Sequence, residues 1–339
     1  MTKRATLADV AKLAGLSTTT VSMVLNNRPN TRLSEQAAER VRAAAAALDY
    51  RPNPAARGLR TGTSRPIGFI SDEVTVTRYA SAIISGLLEE AEAHDHSLLI
   101  TESGRPGQLQ KLVNLMLDRR TDGIVFGLMR ARQLELPPLP EVNTILVNAT
   151  STSGHPCVLP DEYRAGYQAV KYLTDRGHRR IGFIGRSADL LEPASSATVA
   201  ERYAGMDTAL AEEGIELVHQ VDGKYWEPGL GYAGAEEIFA AGHVTAVIAA
   251  NDRVAFGIYQ SAQERGLKVP EDLSVISFDD EYLASYLRPQ LTTMQIPYRE
   301  MGRTAMQLLL SRQAPPLTLV PMPVQERGSV RTLNEKGDR

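Results

Sequence analysis

Leu7, Val10, Ala11 and Ala14 recur at helical spacing, and past a glycine Val21, Val24 and Leu25 do so again. Thr6, with Asp9 three residues on, announces the first helix by a capping-box pattern. Gly15 suits the turn because it accepts positive φ without steric cost, and Ser17 stands where its hydroxyl can cap the second helix. The opposite face of that second helix carries Thr18, Thr19, Ser22, Met23 and Asn26. Two short helices joined by a glycine turn, the second with a small polar face, read as a helix-turn-helix; a plain helical hairpin is the alternative. A third helix runs from Ser34 to about Leu48, with Ala38, Val41, Ala45 and Leu48 as its apolar stripe. Next comes Tyr50–Arg60, in which Asn53 and Pro54 read as N-cap and first residue of one more short helix. Gly58 weakens that helix by about 1 kcal/mol relative to alanine, so it is not expected to hold alone.

From Arg65 the pattern changes to short apolar runs alternating with amphipathic stretches. Ile67–Ser71, Ser97–Thr101, Ile124–Gly127 and Thr144–Asn148 read as strands, with helices over Tyr79–His94 and near Gln108–Arg119. A second series begins near Asp161. It has helices over Arg164–Gly177, Ala200–Gly214, after Gly229 and over Asp252–Gly266, and strands at Ile181–Gly185, Val244–Ala250 and Leu273–Phe278. Such alternation implies parallel sheets flanked by helices. Two series imply two doubly wound α/β lobes with a cleft between them.

Charge separates the head from the rest. Residues 1–65 hold eleven Lys/Arg against four acids, a net +7, so a chain of net −3 leaves −10 on the remainder. A basic head on an acidic body is the footprint of a module that meets phosphates while its body stays off them; a merely solvated basic face is the alternative. The single cysteine, Cys157, cannot form an internal disulfide, which suits a reducing cytosol. No apolar stretch is long enough for a membrane helix. The start MTKRATLADVAKLAG lacks the apolar core of a signal peptide, so a cytoplasmic protein is expected.

Ligands of open parallel sheets gather beyond the carboxyl ends of the strands. Those ends offer Ser71, Asn148, Asn251 and Asp279, with Arg202 opening the ERYAG helix and Trp226 in the loop before Gly229. A carboxylate, an arginine, amides and an indole suit a polyhydroxylated ligand. Each has a plainer reading. Asn251-Asp252 could cap the next helix, the favoured role for Asp252; Asp279-Asp280 could turn the chain, Trp226 could be core, and Arg202 could pair with Glu201 or Glu192. Gly229–Gly234 fits GxGxxG, but Pro228 precedes it where a dinucleotide site needs a buried strand, so nicotinamide binding is not expected. The six histidines are dispersed, no Cys/His cluster has zinc spacing, and no nucleophile elbow or P-loop appears. Neither an enzyme nor a cofactor is expected.

The stretch TLADVAKLAGLSTTTVSMVLN followed by YRPNPAARGLRTG resembles the lactose/galactose repressor (LacI/GalR) family, and the likeness continues to about Arg327. The resemblance implies a DNA-binding domain over 1–51, a hinge helix and linker over 52–64, and a periplasmic-binding-protein-like core of two lobes. It assigns 65–160 with 292–320 to the first lobe and 161–291 with 321–331 to the second, the chain crossing near Asp161, Leu291–Thr293 and Pro321. It implies a homodimeric repressor on a pseudo-palindromic operator of double-stranded DNA, switched by a small effector such as a sugar. Thr18, Thr19 and Met23 would face base edges, Thr20, Ser22 and Asn26 would hold phosphates, and Asn53, Ala56 and Leu59 of paired hinge helices would meet the minor groove, Leu59 as the wedge. Position 23 is methionine where relatives commonly carry an arginine that can reach guanine. Ser71, Tyr79, Asn148, Arg202, Trp226, Asn251 and Asp279 match effector-contacting positions, although Asn148 stands where sugar-binding relatives can carry an acid. A solute receptor explains only the body, and a sugar-modifying enzyme lacks its constellation. The tail GSVRTLNEKGDR has no heptad, so no further oligomerising helix is expected.

Overall fold

Capping chemistry sets the ends of the head's helices. The computed structural model describes residues 5–25, 33–50, 66–75, 79–103 and 107–333, and of Tyr79 its place in a helix but not its side chain. Asn26 and the hinge residues Asn53, Ala56 and Leu59 lie outside the described residues. In α1 (Leu7–Ala14) the Thr6 amide donates to Asp9 at 2.8 Å, the Asp9 amide donates back to Thr6 Oγ1 at 3.3 Å, and Gly15 ends the helix at φ 66°. Ser17 Oγ accepts from the Thr20 amide at 3.1 Å at the start of α2 (Thr18–Leu25), and Ser34 Oγ from Ala37 at 3.3 Å at the start of α3 (Glu35–Ala47). Val10, Val21 and Val41 are wholly buried, among Ala11, Ala14, Val24, Ala44 and Ala45. The stripe of α3 is therefore centred on Ala37, Val41, Ala44 and Ala45, with Ala38 and Leu48 at its margin.

The body begins at Pro66 as a separate compact unit. Its first part runs β1 (Pro66–Ser71), α4 (Tyr79–Ala93), β2 (Ser97–Glu102), α5 (Leu109–Asp118), β3 (Gly123–Leu134), β4 (Asn143–Ser151) and β5 (Cys157–Pro160). The second runs α6 (Glu162–Thr174), β6 (Ile181–Arg186), α7 (Val199–Glu212), β7 (His219–Asp222), α8 (Pro228–Ala241), β8 (Ala246–Ala249), α9 (Asp252–Glu264), β9 (Ser274–Asp279), α10 (Tyr282–Tyr286) and β10 (Thr292–Gln295). Then α11 (Tyr298–Ser311) and β11 (Leu317–Val320) return to the first lobe, and β12 (Val324–Gln325) rejoins the second. The sheets have orders β11-β5-β4-β3-β1-β2 and β12-β10-β9-β8-β6-β7, parallel throughout except where β12 meets β10. The second crossing falls at Ile296–Pro297 and not near Leu291–Thr293. Thr292–Gln295 pairs beside Ile276–Asp279 of β9, and buried Thr293 hydrogen-bonds within the second lobe, so these residues extend that lobe's share.

Three helix pairs close through reciprocal glycines: Gly86 with Gly302 (α4, α11), Gly166 with Gly205 (α6, α7) and Gly231 with Gly257 (α8, α9). At each, a Cβ would run into a main-chain carbonyl oxygen of the facing helix. The backbones approach closely because no side chain intervenes.

Candidate functional site

On α2, Thr18 and Thr19 are exposed, Met23 is half-buried, and the hydroxyl of half-buried Thr20 lies 2.8 Å from that of Ser17. Ser22 corrects the expected polar face, being only 6% exposed. It lies one residue past Val21 and three before Leu25, at the edge of the buried arc, and is small enough to be enclosed.

In the body, α7 carries Arg202 into a buried polar knot. Its Nε and Nη2 donate to the two Glu162 carboxylate oxygens at 2.6 and 2.7 Å, and Nη1 donates to the Ala250 carbonyl at 2.7 Å. Both side chains are nearly sealed, at 2% and 3% exposure, and the guanidinium carbon stands 4.1 Å from the Phe278 ring centre and 5.5 Å from that of Trp226. Arg202 thus pairs with neither Glu201 nor Glu192. Its partner, Glu162, has no distinguishing signal in the sequence, since an acid beside the N-cap Asp161 reads as helix-dipole chemistry.

Asp279 Oδ1 lies 4.0 Å from Arg202 Nη2. Burial pushes its carboxyl up to about 8, with the Arg202 charge pulling the other way. Glu162 already compensates that arginine, so little attraction is left to hold Asp279 ionised and its carboxyl keeps its proton near neutral pH. Its backbone is left-handed, φ 105°, and so is that of Asp280, φ 58°, which is ion-paired to Arg327 at 2.6 Å. Asn148 is also left-handed, φ 53°, and its buried amide donates to the Leu128 carbonyl at 2.8 Å.

Asn251 is the N-cap of α9: Oδ1 accepts from Val254 at 2.9 Å while Nδ2 donates to the Trp226 carbonyl at 3.2 Å. The cap is therefore Asn251 and not Asp252. Asp252 is wholly buried and accepts from Ser277 Oγ, from Thr293 Oγ1 at 2.8 Å and from the Glu281 amide at 2.6 Å. Burial outweighs these donors and raises its carboxyl to about 7. The Trp226 indole N–H donates to the Gly185 carbonyl at 2.8 Å, and its ring packs against both second-lobe cores.

Two cavities open between the lobes. The larger, about 1270 Å³, is lined by Ser71, Asp72, Glu102 and Arg132 from the first lobe and by Leu190, Lys224 and Tyr225 from the second. The other, about 1110 Å³, meets Ser81 and Arg299 across from Asp279, Arg253 and Tyr282. Of the sequence candidates, Ser71 lines the first and Asp279 the second, whereas Asn148, Arg202, Trp226 and Asn251 line neither. The larger cavity presents groups that the sequence reading passed over. Two ion pairs stand in its wall, Asp72 with Arg132 at 2.8 Å and Asp189 with Lys224 at 3.3 Å, beside Glu73, Glu102, Arg130 and Glu135.

The remaining motifs are structural. Gly231 and Gly234 lie inside α8, which starts at Pro228, and Gly231 faces the Val254 carbonyl. Buried His178 lies 3.0 Å from Thr245 Oγ1 and 3.0 Å from the Arg331 carbonyl. Among the described residues no helix is long and apolar enough to cross a membrane.

Comparison with known proteins supplies the family. Residues 6–53 match the bacterial regulatory proteins of the lacI family, and 170–330 match a periplasmic binding protein-like domain. The HTH-type transcriptional repressor PurR of Vibrio cholerae serotype O1 is 33% identical over 317 residues, 91% of this chain and 91% of that protein. Catabolite control protein A of Priestia megaterium is 33% identical over 90% of this chain and 91% of its own. The structure of the Lac repressor dimer bound to operator and the anti-inducer ONPF superposes with a TM-score of 0.76 at 25% identity, covering 97% of this chain and 100% of that one. PurR and the Lac repressor are transcriptional repressors and not enzymes, and this chain belongs to the lacI family of bacterial regulatory proteins.

Proposed function

We propose that this protein represses transcription from the cytoplasm, binding a pseudo-palindromic operator as a homodimer under the control of a small effector held between the lobes. The observation that carries this reading is the head itself, a capped helix-turn-helix with Thr18 and Thr19 exposed on its second helix. PurR is a named repressor, and the Lac repressor is seen as a dimer on its operator with an anti-inducer. Residues 1–51 serve as the DNA-binding domain and 52–64 as the hinge, with Asn53, Ala56 and Leu59 in the minor groove. Thr18, Thr19 and Met23 read bases, Thr20 and Asn26 hold phosphates, and Ser22 supports the helix from within.

For the effector, the larger cavity is lined by five acids (Asp72, Glu73, Glu102, Glu135 and Asp189) against three bases (Arg130, Arg132 and Lys224), and this excess of negative charge favours a neutral, polyhydroxylated ligand over an anion. Ser71 contacts it directly. Arg202, Asp279, Asn148, Asn251 and Trp226 act behind it, holding the strand ends in place.

Selection of random duplexes by the full-length protein tests the reading. A two-fold symmetric motif is expected, with affinity falling steeply as salt rises, because phosphate contacts release counterions. Met23→Arg should add a guanine preference of about 1–3 kcal/mol at one symmetric pair of positions, since methionine lacks the donors of arginine. Failure to select any motif, or binding indifferent to salt, would overturn the proposal.

A further inference from the structure

β3 continues beyond the body of its sheet. Its ladder with β4 shifts register between Gly127 and Arg132, after which Arg132–Leu134 pair with Ala149–Ser151 as an arm. Asp72, just past β1, holds the bend: Oδ1 accepts from the Met129 amide at 3.0 Å and Oδ2 pairs with Arg132 Nη2 at 2.8 Å. The arm then reaches the other lobe. Its Gln133 amide donates to the Pro193 carbonyl at 2.8 Å, and its Ala131 carbonyl accepts from the Ala197 amide at 3.0 Å. Both partners belong to the connection between β6 and α7. That connection is mostly exposed, yet Leu190, Ala194 and Ser195 line the larger cavity opposite Arg130 and Arg132 of the arm. Ser196 Oγ accepts from the Val199 amide at 3.2 Å and ties the connection to the first turn of α7, the helix of Arg202.

We propose that residues 188–197 are a strap that bolts the lobes together at the rim of the larger cavity. The bolt is the pair of main-chain hydrogen bonds to Ala131 and Gln133, Asp72 is its positioning residue, and a ligand enters when it is released. This rests on reading that cavity as the effector site. Two surface hydrogen bonds are few enough to open locally while both lobes stay folded, which a gate requires. Being main-chain bonds, they are indifferent to strap side chains, so the strap can close over ligands of different shape. Release frees the strap to pull on α7, and so on the knot that Arg202 makes with Glu162.

Hydrogen exchange and cross-linking on the full chain test the bolt without DNA or a named ligand. The Gln133 and Ala197 amides should be protected and should exchange together. Asp72→Ala should speed both while amides of β6 and β8 stay protected, which shows that the lobes remain folded. Cysteines introduced as Ala131→Cys with Ala197→Cys should join on oxidation in the ligand-free protein; the native Cys157 is buried and stays out of the reaction. Amides at 133 and 197 that exchange as freely as an open loop, unchanged exchange in Asp72→Ala, or a cysteine pair that does not join would each overturn the proposal. The repressor reading would survive such a result, since it is judged on duplex selection alone.

Discussion

The two lobes repeat one strand order, with β1 to β5 of the first answering to β6 to β10 of the second. The ends of the fourth strands correspond as well. Asn148, where the β4 ladder shifts register, and Asp279, at the end of β9, both adopt left-handed backbone at φ 53° and φ 105°. There the likeness stops. The first lobe closes that end with a neutral amide satisfied by the Leu128 carbonyl, whereas the second closes it with a carboxylate beside the buried Arg202–Glu162 pair. The second lobe also buries Asp252 among Ser277 and Thr293, while the first pairs its buried Asp72 with an arginine, Arg132, whose side chain is one-third exposed. One scaffold has thus been given two electrostatic tasks. The second lobe holds charges whose burial makes them sensitive to small displacements, and the first offers an arm and a wall.

That contrast breaks most directly at Glu162. Glu162→Ala would leave the Arg202 guanidinium buried without its carboxylate, and should cost about 3–5 kcal/mol of stability in urea unfolding. Arg132→Ala, its counterpart at the first lobe's cleft, should cost less, because the Arg132 side chain is one-third exposed and its removal opens Asp72 to water. Equal losses would show that the two lobes do not differ in this way. Gly231→Ala in the second lobe and Gly302→Ala in the first test what the lobes share. Each should lose about 1–3 kcal/mol, since a Cβ meets a facing carbonyl in both. A neutral result in one lobe only would mean that its helices can separate.

The smallest effect is a pH dependence. Asp279, raised to about 8, and Asp252, raised to about 7, bind protons more tightly folded than unfolded. Their contribution is complete below the unfolded carboxylate range near pH 4 and is lost as pH rises through the folded values. The thermal midpoint should therefore fall between about pH 5 and pH 9, and Asp279→Asn should flatten the fall. A midpoint that climbs over this range would contradict the burial assigned to these carboxyls.

Local chemistry made much of the architecture legible. The Thr6–Asp9 capping box, the Gly15 turn and the Ser17 and Ser34 caps involve residues within four positions of one another, so the sequence determined where the head's helices start and stop. Strands with apolar runs long enough to carry a period could be read too. Four short strands outside such runs, Cys157–Pro160, His219–Asp222, Thr292–Gln295 and Leu317–Val320, could not, because what makes them strands is a neighbour far along the chain.

Near the cleft, residue types marked polar positions at the strand ends and not what each does there. Arg202 and Asp279 were visible as an arginine and a carboxylate, but Glu162, forty residues from Arg202 along the chain, was an ordinary acid of a helix's first turn. Whether an arginine is free to hold a ligand depends on whether a carboxylate reaches it in space, and in this protein one does. Asp252 had the look of a cap until three donors from distant segments enclosed it. The sequence alone determined the head's helices, the basic head and the two alternating series, because those follow from propensity and periodicity over a few residues. Only the tertiary structure decided which charges are spent on each other and where the lobes touch, because pairing and burial are properties of surfaces that the chain brings together after it has folded.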